Sequence, residues 1–425
     1  MLDSDLKSYS SRSSDIKFFE NFLVVSIFLI HASFGIIPAE TTPIPLLIVF
    51  YLFHLRSGFD RNLIILSIFL LFSSSFSLMQ GISFMDVFEQ LSVYLQILFM
   101  GYYVIKFGLQ NISIKLLYLI IFFHIIVGFS QFFEISIINN AVSILIPRTE
   151  TLIDNISGRG VPFLATEPSE ALQYILLPLF LLSLKNKNSN FNSSLIFFTV
   201  LITTLLSTSG TSFLTFFIFF IFIIYFLLKP FKFILLSAFI AVFLLNFDFL
   251  NFLNLFDSDN RALSIAIQIL STDPYYLVDL VSQISGFRFA LDYASFTSFF
   301  YFQPAYGVGS WTVNSLYSLS QSGIDINYFA DFMYLDIVPL KPVSVPGILI
   351  LEFGLVGLLF VIFLIIKSYR FILIFFKSLN FNNLSKTLLI VAILKIFFLV
   401  IVGNPSSIAI IALSIFLVTK KKAEQ

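Results

Sequence analysis

Residues 210–228 read GTSFLTFFIFFIFIIYFLL and run into Lys229 and Pro230. No charge interrupts the stretch, and its apolar side chains are continuous rather than alternating, which indicates a helix apolar all round and not a half-wet strand. At ~1.5 Å of rise per residue, a helix of this length covers most of the roughly 30 Å hydrocarbon core of a bilayer. Similar runs recur from Phe18 to Thr419. The whole chain is 58% hydrophobic and 11% charged, with 58 Phe among 425 residues. An ordinary soluble domain carries about 25% charged residues, so a water-soluble core is excluded. In hydrocarbon only helices or closed barrels satisfy their own backbone groups, and continuous runs select helices. The fold class expected is therefore all-α, a single polytopic membrane domain over residues 1–425.

A window of about 20 residues places spans near 18–37, 43–55, 62–79, 87–105, 113–137, 171–184, 191–207, 210–228, 231–256, 346–366, 385–402 and 405–419, about twelve transmembrane helices. The run after the polar first 17 residues shows no small-residue cleavage pattern, so it reads as a retained first helix. Basic residues test the alternation of sides independently. With the N-terminus inside, the inner segments hold Lys7, Arg12 and Lys17, then Arg56 and Arg61, Lys106 and Lys115, Lys185 and Lys187, and Lys229 and Lys232. The series continues with Lys367, Arg370, Lys377 and Lys386 and closes on Lys420, Lys421 and Lys422. Both termini are thus expected to be cytoplasmic. Of 24 basic residues only six fall elsewhere: Arg148, Arg159, Arg261, Arg288 and Lys341 outside, and Lys395 within a span.

Two outer loops are large, the third at about 138–170 and the fifth at about 257–345, and long ordered loops are usually functional. In the third, GRGVPFLATEPSEAL (158–172) sets Arg159 between two glycines and Glu167 ahead of Pro168-Ser169. Flanking glycines permit close approach to an anion, and guanidinium matches phosphate geometry. The plain alternative is a solvated interfacial Arg159, with Glu167, Ser169 and Glu170 serving only to open the next helix. In the fifth, GFRFALDYASFTSFFYFQPAYGVGSW (286–311) joins Arg288 to a Pro304-Ala305-Tyr306-Gly307-Val308-Gly309 turn and to Trp311. A lone Gly-x-Gly reads first as a turn; no strand precedes it and no third glycine follows, so a dinucleotide site is not indicated. Two arginines on an Arg-poor face, each beside a Gly-rich turn, point to an anionic group at the outer membrane surface, for which a polyprenyl diphosphate head is one fit.

Other residues carry less. His31, His54 and His124 lack ligand spacing and Cys is absent, so no metal site is expected. His124 reads as packed inside the bundle. Lys395 and Glu89 are intramembrane ionisable residues; Lys395 reads equally as a structural ion pair or a lipid-phosphate contact. The small polar hairpin Ser207 to Ser212 suggests close helix packing, and Glu352 in LEFGLVGLL opens an apolar helix. A zero formal net charge gives no sign of nucleic-acid binding.

With these residues in place the chain resembles the O-antigen polymerase (Wzy) family and its wider relatives, which include the O-antigen ligases. The likeness extends over nearly the whole chain as topology. Arg159-Gly160 running to Glu167-Pro168-Ser169 is similar to the family's third-loop pattern, and Leu206 to Thr211 to the Ser-rich turn after it. Arg288 with Pro304, Gly307, Val308 and Gly309 resembles the fifth-loop pattern, and Glu352 to Gly357 the helix opening that follows. The ligase branch carries a fifth-loop histidine, whereas no histidine follows His124 here, which favours a polymerase.

The resemblance implies a GT-C-like protein of the bacterial inner membrane with two large periplasmic loops, polymerising undecaprenyl-diphosphate-linked oligosaccharide repeats into O-antigen or a related surface polysaccharide. It implies no cofactor. Its partners would be the carrier-linked oligosaccharides, membrane lipids and a chain-length regulator. Arg159 and Arg288 are assigned to clamp the departing diphosphate and Glu167 to deprotonate or orient the acceptor hydroxyl. Tyr306 and Trp311 are placed against sugar faces, with Gly307, Gly309, Arg148 and Lys341 as further substrate-binding residues. The alternatives are a ligase or another polyprenyl-diphosphate glycan transferase, or a lipid-linked oligosaccharide flippase, which would normally carry charges across several spans.

Overall fold

The computed structural model describes residues 2–30, 32, 43–56, 61–79, 84–146, 160–165, 168–185, 189–207, 210–228, 345–377, 382–395 and 405–424. Among them regular structure is helical throughout, with no strand. The helices are α1 (Leu2–Phe28), α2 (Ile44–Leu55), α3 (Arg61–Met79), α4 (Phe84–Phe107), α5 (Ile114–Phe132) and α6 (Ser136–Leu145). A 3-10 turn, Pro168–Glu170, then leads into α7 (Ala171–Lys185), followed by α8 (Asn190–Ser207), α9 (Gly210–Leu227), α10 (Val345–Lys377), α11 (Asn383–Leu394) and α12 (Pro405–Glu424). The expected span at 231–256 lies outside the described residues.

Three of these helices have stretches long and apolar enough to cross a bilayer: Ile114–Phe132, Asn190–Ser207 and Gly354–Phe375. Others are apolar but shorter, among them Ile44–Leu55, Ala171–Lys185 and Asn383–Leu394. Several sequence boundaries shift. Of the expected first span, 18–37, residues 18–28 lie in a helix that begins at Leu2, because the polar residues before it contain neither Gly nor Pro to stop a helix, while 31 and 33–37 lie outside the described residues. The run at 113–137 divides into α5 and α6 at a tight turn where Glu134 takes a left-handed φ of 55°. The stretch beginning at 346 extends to Lys377 and bends at Gly354, whose φ of 55° and ψ of −128° suit a residue without a Cβ.

α7 is the hub. Every residue from Ala171 to Ser183 is buried, and the helix packs against α1, α5, α8, α11 and α12. That surround explains its short length, since a helix walled in by others need not itself match the bilayer thickness. Pro178 sits inside α7 and has no N–H to give the Tyr174 carbonyl four residues earlier. Ser406 on α12 supplies the missing donor, its Oγ lying 3.4 Å from that carbonyl oxygen. Outer helices reverse this pattern. α10 exposes Leu355, Leu359, Phe360, Phe363 and Ile366, and α3 exposes Ile64, Ile65, Ile68 and Leu71. Apolar surface this extensive is unsuited to water and matches a lipid-facing wall.

The bundle has two polar ends. At one, Glu20 of α1 is fully buried and accepts hydrogen bonds from Arg56 Nη2 at 2.7 Å, Tyr103 Oη at 3.0 Å, and the Asn111 backbone N and Nδ2 at 3.3 and 3.1 Å. One carboxylate thereby joins α1, the end of α2, α4 and the α4–α5 turn. Nearby, Asn21 Oδ1 accepts from the Ser113 N–H at 2.8 Å and Lys185 Nζ donates to the Gln110 carbonyl at 3.2 Å. Partial burial lowers the pKa of Lys185 below the ordinary lysine value, the Glu20 carboxylate opposes that shift and the charge of Lys17 adds to it. Asn382 caps α11 by accepting from the Ser385 N–H at 2.7 Å and donates to the Ser183 carbonyl at 3.1 Å. Lys17, Arg56 and Lys185, which the charge pattern assigns to one side of the membrane, thus meet at one end of the bundle.

Removing Glu20 leaves a partly buried guanidinium and three further donors without their acceptor. Glu20→Leu should lower stability by about 3 kcal/mol or more, read as an earlier thermal unfolding midpoint in detergent, while exposed Lys106→Ala should leave it nearly unchanged.

Candidate functional site

The opposite end, carrying the Pro168–Glu170 turn, receives the third-loop segment singled out by sequence. Gly160 has φ of 74° and the Val161 N–H donates to the Leu206 carbonyl at the end of α8, 3.0 Å away. Phe163 is fully buried in a left-handed conformation, φ 58°, costly for a residue with a Cβ. Two bonds offset that cost. The Gln131 side chain accepts from the Phe163 N–H at 2.7 Å and donates to its carbonyl at 2.8 Å, so one amide of α5 holds both backbone groups of the strained residue.

The Phe163 ring stacks on His124, centroids 4.4 Å apart and planes 14° from parallel, and His124 Nε2 meets Thr203 Oγ1 of α8 at 3.0 Å. His124 is therefore a packed interior residue, as its sequence setting suggests. Gly128, one turn along α5, makes room for the ring: a Cβ there would lie 2.0 Å from Phe163 Cε1. The segment also seats against Ala171 and Leu206, which ties the start of α7 to the end of α8.

Next to it, Glu170 is buried and the Tyr174 hydroxyl lies 3.5 Å from its Oε2. Ser212 Oγ, at the start of α9, reaches the Pro168 carbonyl at 3.4 Å. Ser207 and Ser212 are both buried, consistent with close packing of α8 and α9. Lys395 closes α11 with helical backbone angles and is 1% exposed; its Nζ has no hydrogen-bond partner among the described residues, and Glu170 is the charged group that acts on it through space. Among the described residues Lys395 makes no direct ion pair.

The residues assigned a role in substrate handling, Arg148, Arg159, Glu167, Arg288, Tyr306, Gly307, Gly309, Trp311 and Lys341, lie outside the described residues. The side chains of Glu89 and Glu352 lie outside them too. What the structure places are immediate chain neighbours: Gly160 after Arg159, and Pro168 after Glu167. Gln131, Phe163, Tyr174 and Ser406 are contributions that sequence reasoning missed. Gln131 was the findable one, a lone amide near the end of an apolar run; the pairing of Ser406 with Tyr174 could be found only from the i−4 consequence of Pro178 and a neighbour over 200 residues away.

No family model, curated protein or solved structure matches the chain. The class that fold and site define is accordingly an all-helical protein with bilayer-length apolar helices and one polar end organised around the Phe163 segment and Glu170.

Losing the Gln131 amide leaves two buried backbone groups unpaired at a strained residue, a cost of about 2 kcal/mol or more. Gln131→Leu and Gly128→Ala should each release residues 160–165, seen as faster protease cleavage in that segment and a lower unfolding midpoint, while Gln131→Glu keeps only the acceptor and should fall between wild type and Gln131→Leu.

Proposed function

We propose that this chain is a polysaccharide polymerase of the O-antigen type, which transfers a growing glycan from a polyprenyl diphosphate to a hydroxyl of the next carrier-linked repeat unit. On this reading it is a GT-C-like membrane protein of about twelve spans, with both termini cytoplasmic and the Glu170 end facing the periplasm of a bacterial inner membrane. The observation that carries it is the separation of the two ends. The basic residues Lys17, Arg56 and Lys185 gather around Glu20 at one, while the segment that follows Arg159 is clamped by Gln131 at the other.

In the proposed reaction an acceptor oxygen forms a bond to the anomeric carbon of the donor as the carbon–oxygen bond to diphosphate breaks. The electron pair leaves with the diphosphate, and charge on its oxygens grows most in the transition state. Arg159 and Arg288 would stabilise that charge, which lowers the barrier because the interaction strengthens as the bond breaks. Glu167 takes the acceptor proton, a role open to a carboxylate within hydrogen-bond reach of the hydroxyl. The Gln131 clamp fixes the backbone of Phe163, four residues after Arg159. Tyr306 and Trp311 offer aromatic faces to sugar rings, with Gly307, Gly309, Arg148 and Lys341 around the carrier. No histidine follows His124, which supports a polymerase over a ligase.

Deleting the gene should collapse the surface-polysaccharide ladder to a single repeat unit on a gel, and wild type should restore the ladder. Arg159→Ala and Arg288→Ala should fail to restore it at normal protein level. Polymer of normal length from both variants would remove them from the clamp, and loss of even the single-unit band on deletion would indicate a flippase or ligase instead.

A further inference from the structure

Lys395 has one property that the other described cations lack. Arg56, also inside the bundle, is paired with Glu20. Lys395 is buried like the core residues, yet its Nζ makes no hydrogen bond among the described residues. A lysine head has three donors and no acceptor, so whatever satisfies it must supply acceptor oxygens. Leaving an ammonium buried without them is among the most costly arrangements in a protein.

Its surroundings suit an anion. α11 rises from Asn382, bonded to Ser183 near the Glu20 end, and α12 returns from Ser406, bonded to Tyr174 at the Glu170 end. The two helices pack together, and α7 packs against both. Lys395 at the close of α11 therefore lies at the same end of the bundle as the opening of α12. The start of a 20-residue helix carries a partial positive charge, and buried Pro405, Ser406 and Ser407 form that start. A cationic side chain and a helix N-terminus thus share one end of the bundle without a basic cluster, which is why charge counting gives no sign of the site. The opposing charge is Glu170, seated on a three-residue 3-10 turn, with Tyr174 Oη 3.5 Å away and Ser212 reaching the turn at 3.4 Å. Glu170 is itself buried and bonded, so a phosphate must compete with these contacts for Lys395.

We propose that Lys395 and the N-terminus of α12 form a phosphate-binding site, which Glu170 occludes as a resident counter-charge until a phosphate group displaces it. Its assignment to a carrier-lipid diphosphate rests on the polymerase reading; the phosphate chemistry rests on Lys395 alone and holds if that reading fails. In that setting the site would hold the diphosphate of one of the two carrier lipids. Phosphate and Glu170 compete for one cation, so variants at the two positions act in opposite directions.

The test is equilibrium binding of radiolabelled farnesyl diphosphate and of inorganic pyrophosphate to the purified full chain in nanodiscs of zwitterionic lipid, with farnesol as the uncharged control. Wild type should bind farnesyl diphosphate and not farnesol. Lys395→Met should weaken binding roughly tenfold or more, Lys395→Arg should largely keep it, and Glu170→Gln should tighten it. Binding of pyrophosphate as tight as that of farnesyl diphosphate identifies a free-phosphate site, and a marked preference for the lipid identifies a headgroup site; either supports the proposal. Unchanged binding in Lys395→Met, or weakened binding in a folded Glu170→Gln, overturns it. Should Lys395→Met fail to give a monodisperse protein, the sign of the Glu170→Gln change decides. Binding by wild type together with an intact polysaccharide ladder in the deletion strain would retain the site and discard the polymerase.

Discussion

In a core without water, each buried polar group must find its partner inside the protein, and the organisation of this bundle follows from how that demand is met. Pro178 breaks the backbone ladder of the central helix, and a serine 228 residues further along the chain supplies the donor that is lost. Glu20 gathers four donors from three other elements. Phe163 is held in a backbone conformation that favours glycine because one glutamine satisfies both of its peptide groups. Hydrophobic burial cannot choose between neighbouring helices when lipid is as apolar as the helices themselves, so these few polar ties carry much of the specificity of assembly.

The same demand gives the two ends different characters. The Glu20 end is densely bonded: its carboxylate accepts four hydrogen bonds, α11 has a side-chain cap, and Asn21 and Lys185 each meet a backbone group. Such an arrangement resists change. The Glu170 end combines a left-handed phenylalanine, a 3-10 turn with long hydrogen bonds, and a buried lysine whose Nζ has no acceptor among the described residues. Strain and incomplete pairing concentrate where function requires a second arrangement of the same groups. That contrast, more than any single residue, directs the functional reading to the Glu170 end.

The apolar surface completes the picture. α3 and α10 present leucine, isoleucine and phenylalanine outward, whereas α7 buries its entire circumference against neighbours. By hydropathy all three are runs of the same kind. Their environments differ because lipid and protein interior are equally apolar, and side-chain composition alone does not separate the two.

Sequence by itself therefore determined the helical class, the approximate position of most helices and the grouping of basic residues, because each depends on local composition and on the cost of charge in hydrocarbon. It also marked out the segment around residues 158–172, through its glycines and prolines, and Lys395, through its setting in an apolar run. Only the tertiary structure decided which helix is central, that Gln131 clamps Phe163, that Ser406 repairs the gap left by Pro178, and that Lys395 lacks a direct partner among the described residues. Each of these joins residues distant in the chain, and a hydrogen bond between two such groups depends on where the packing of helices brings them, which no local pattern encodes.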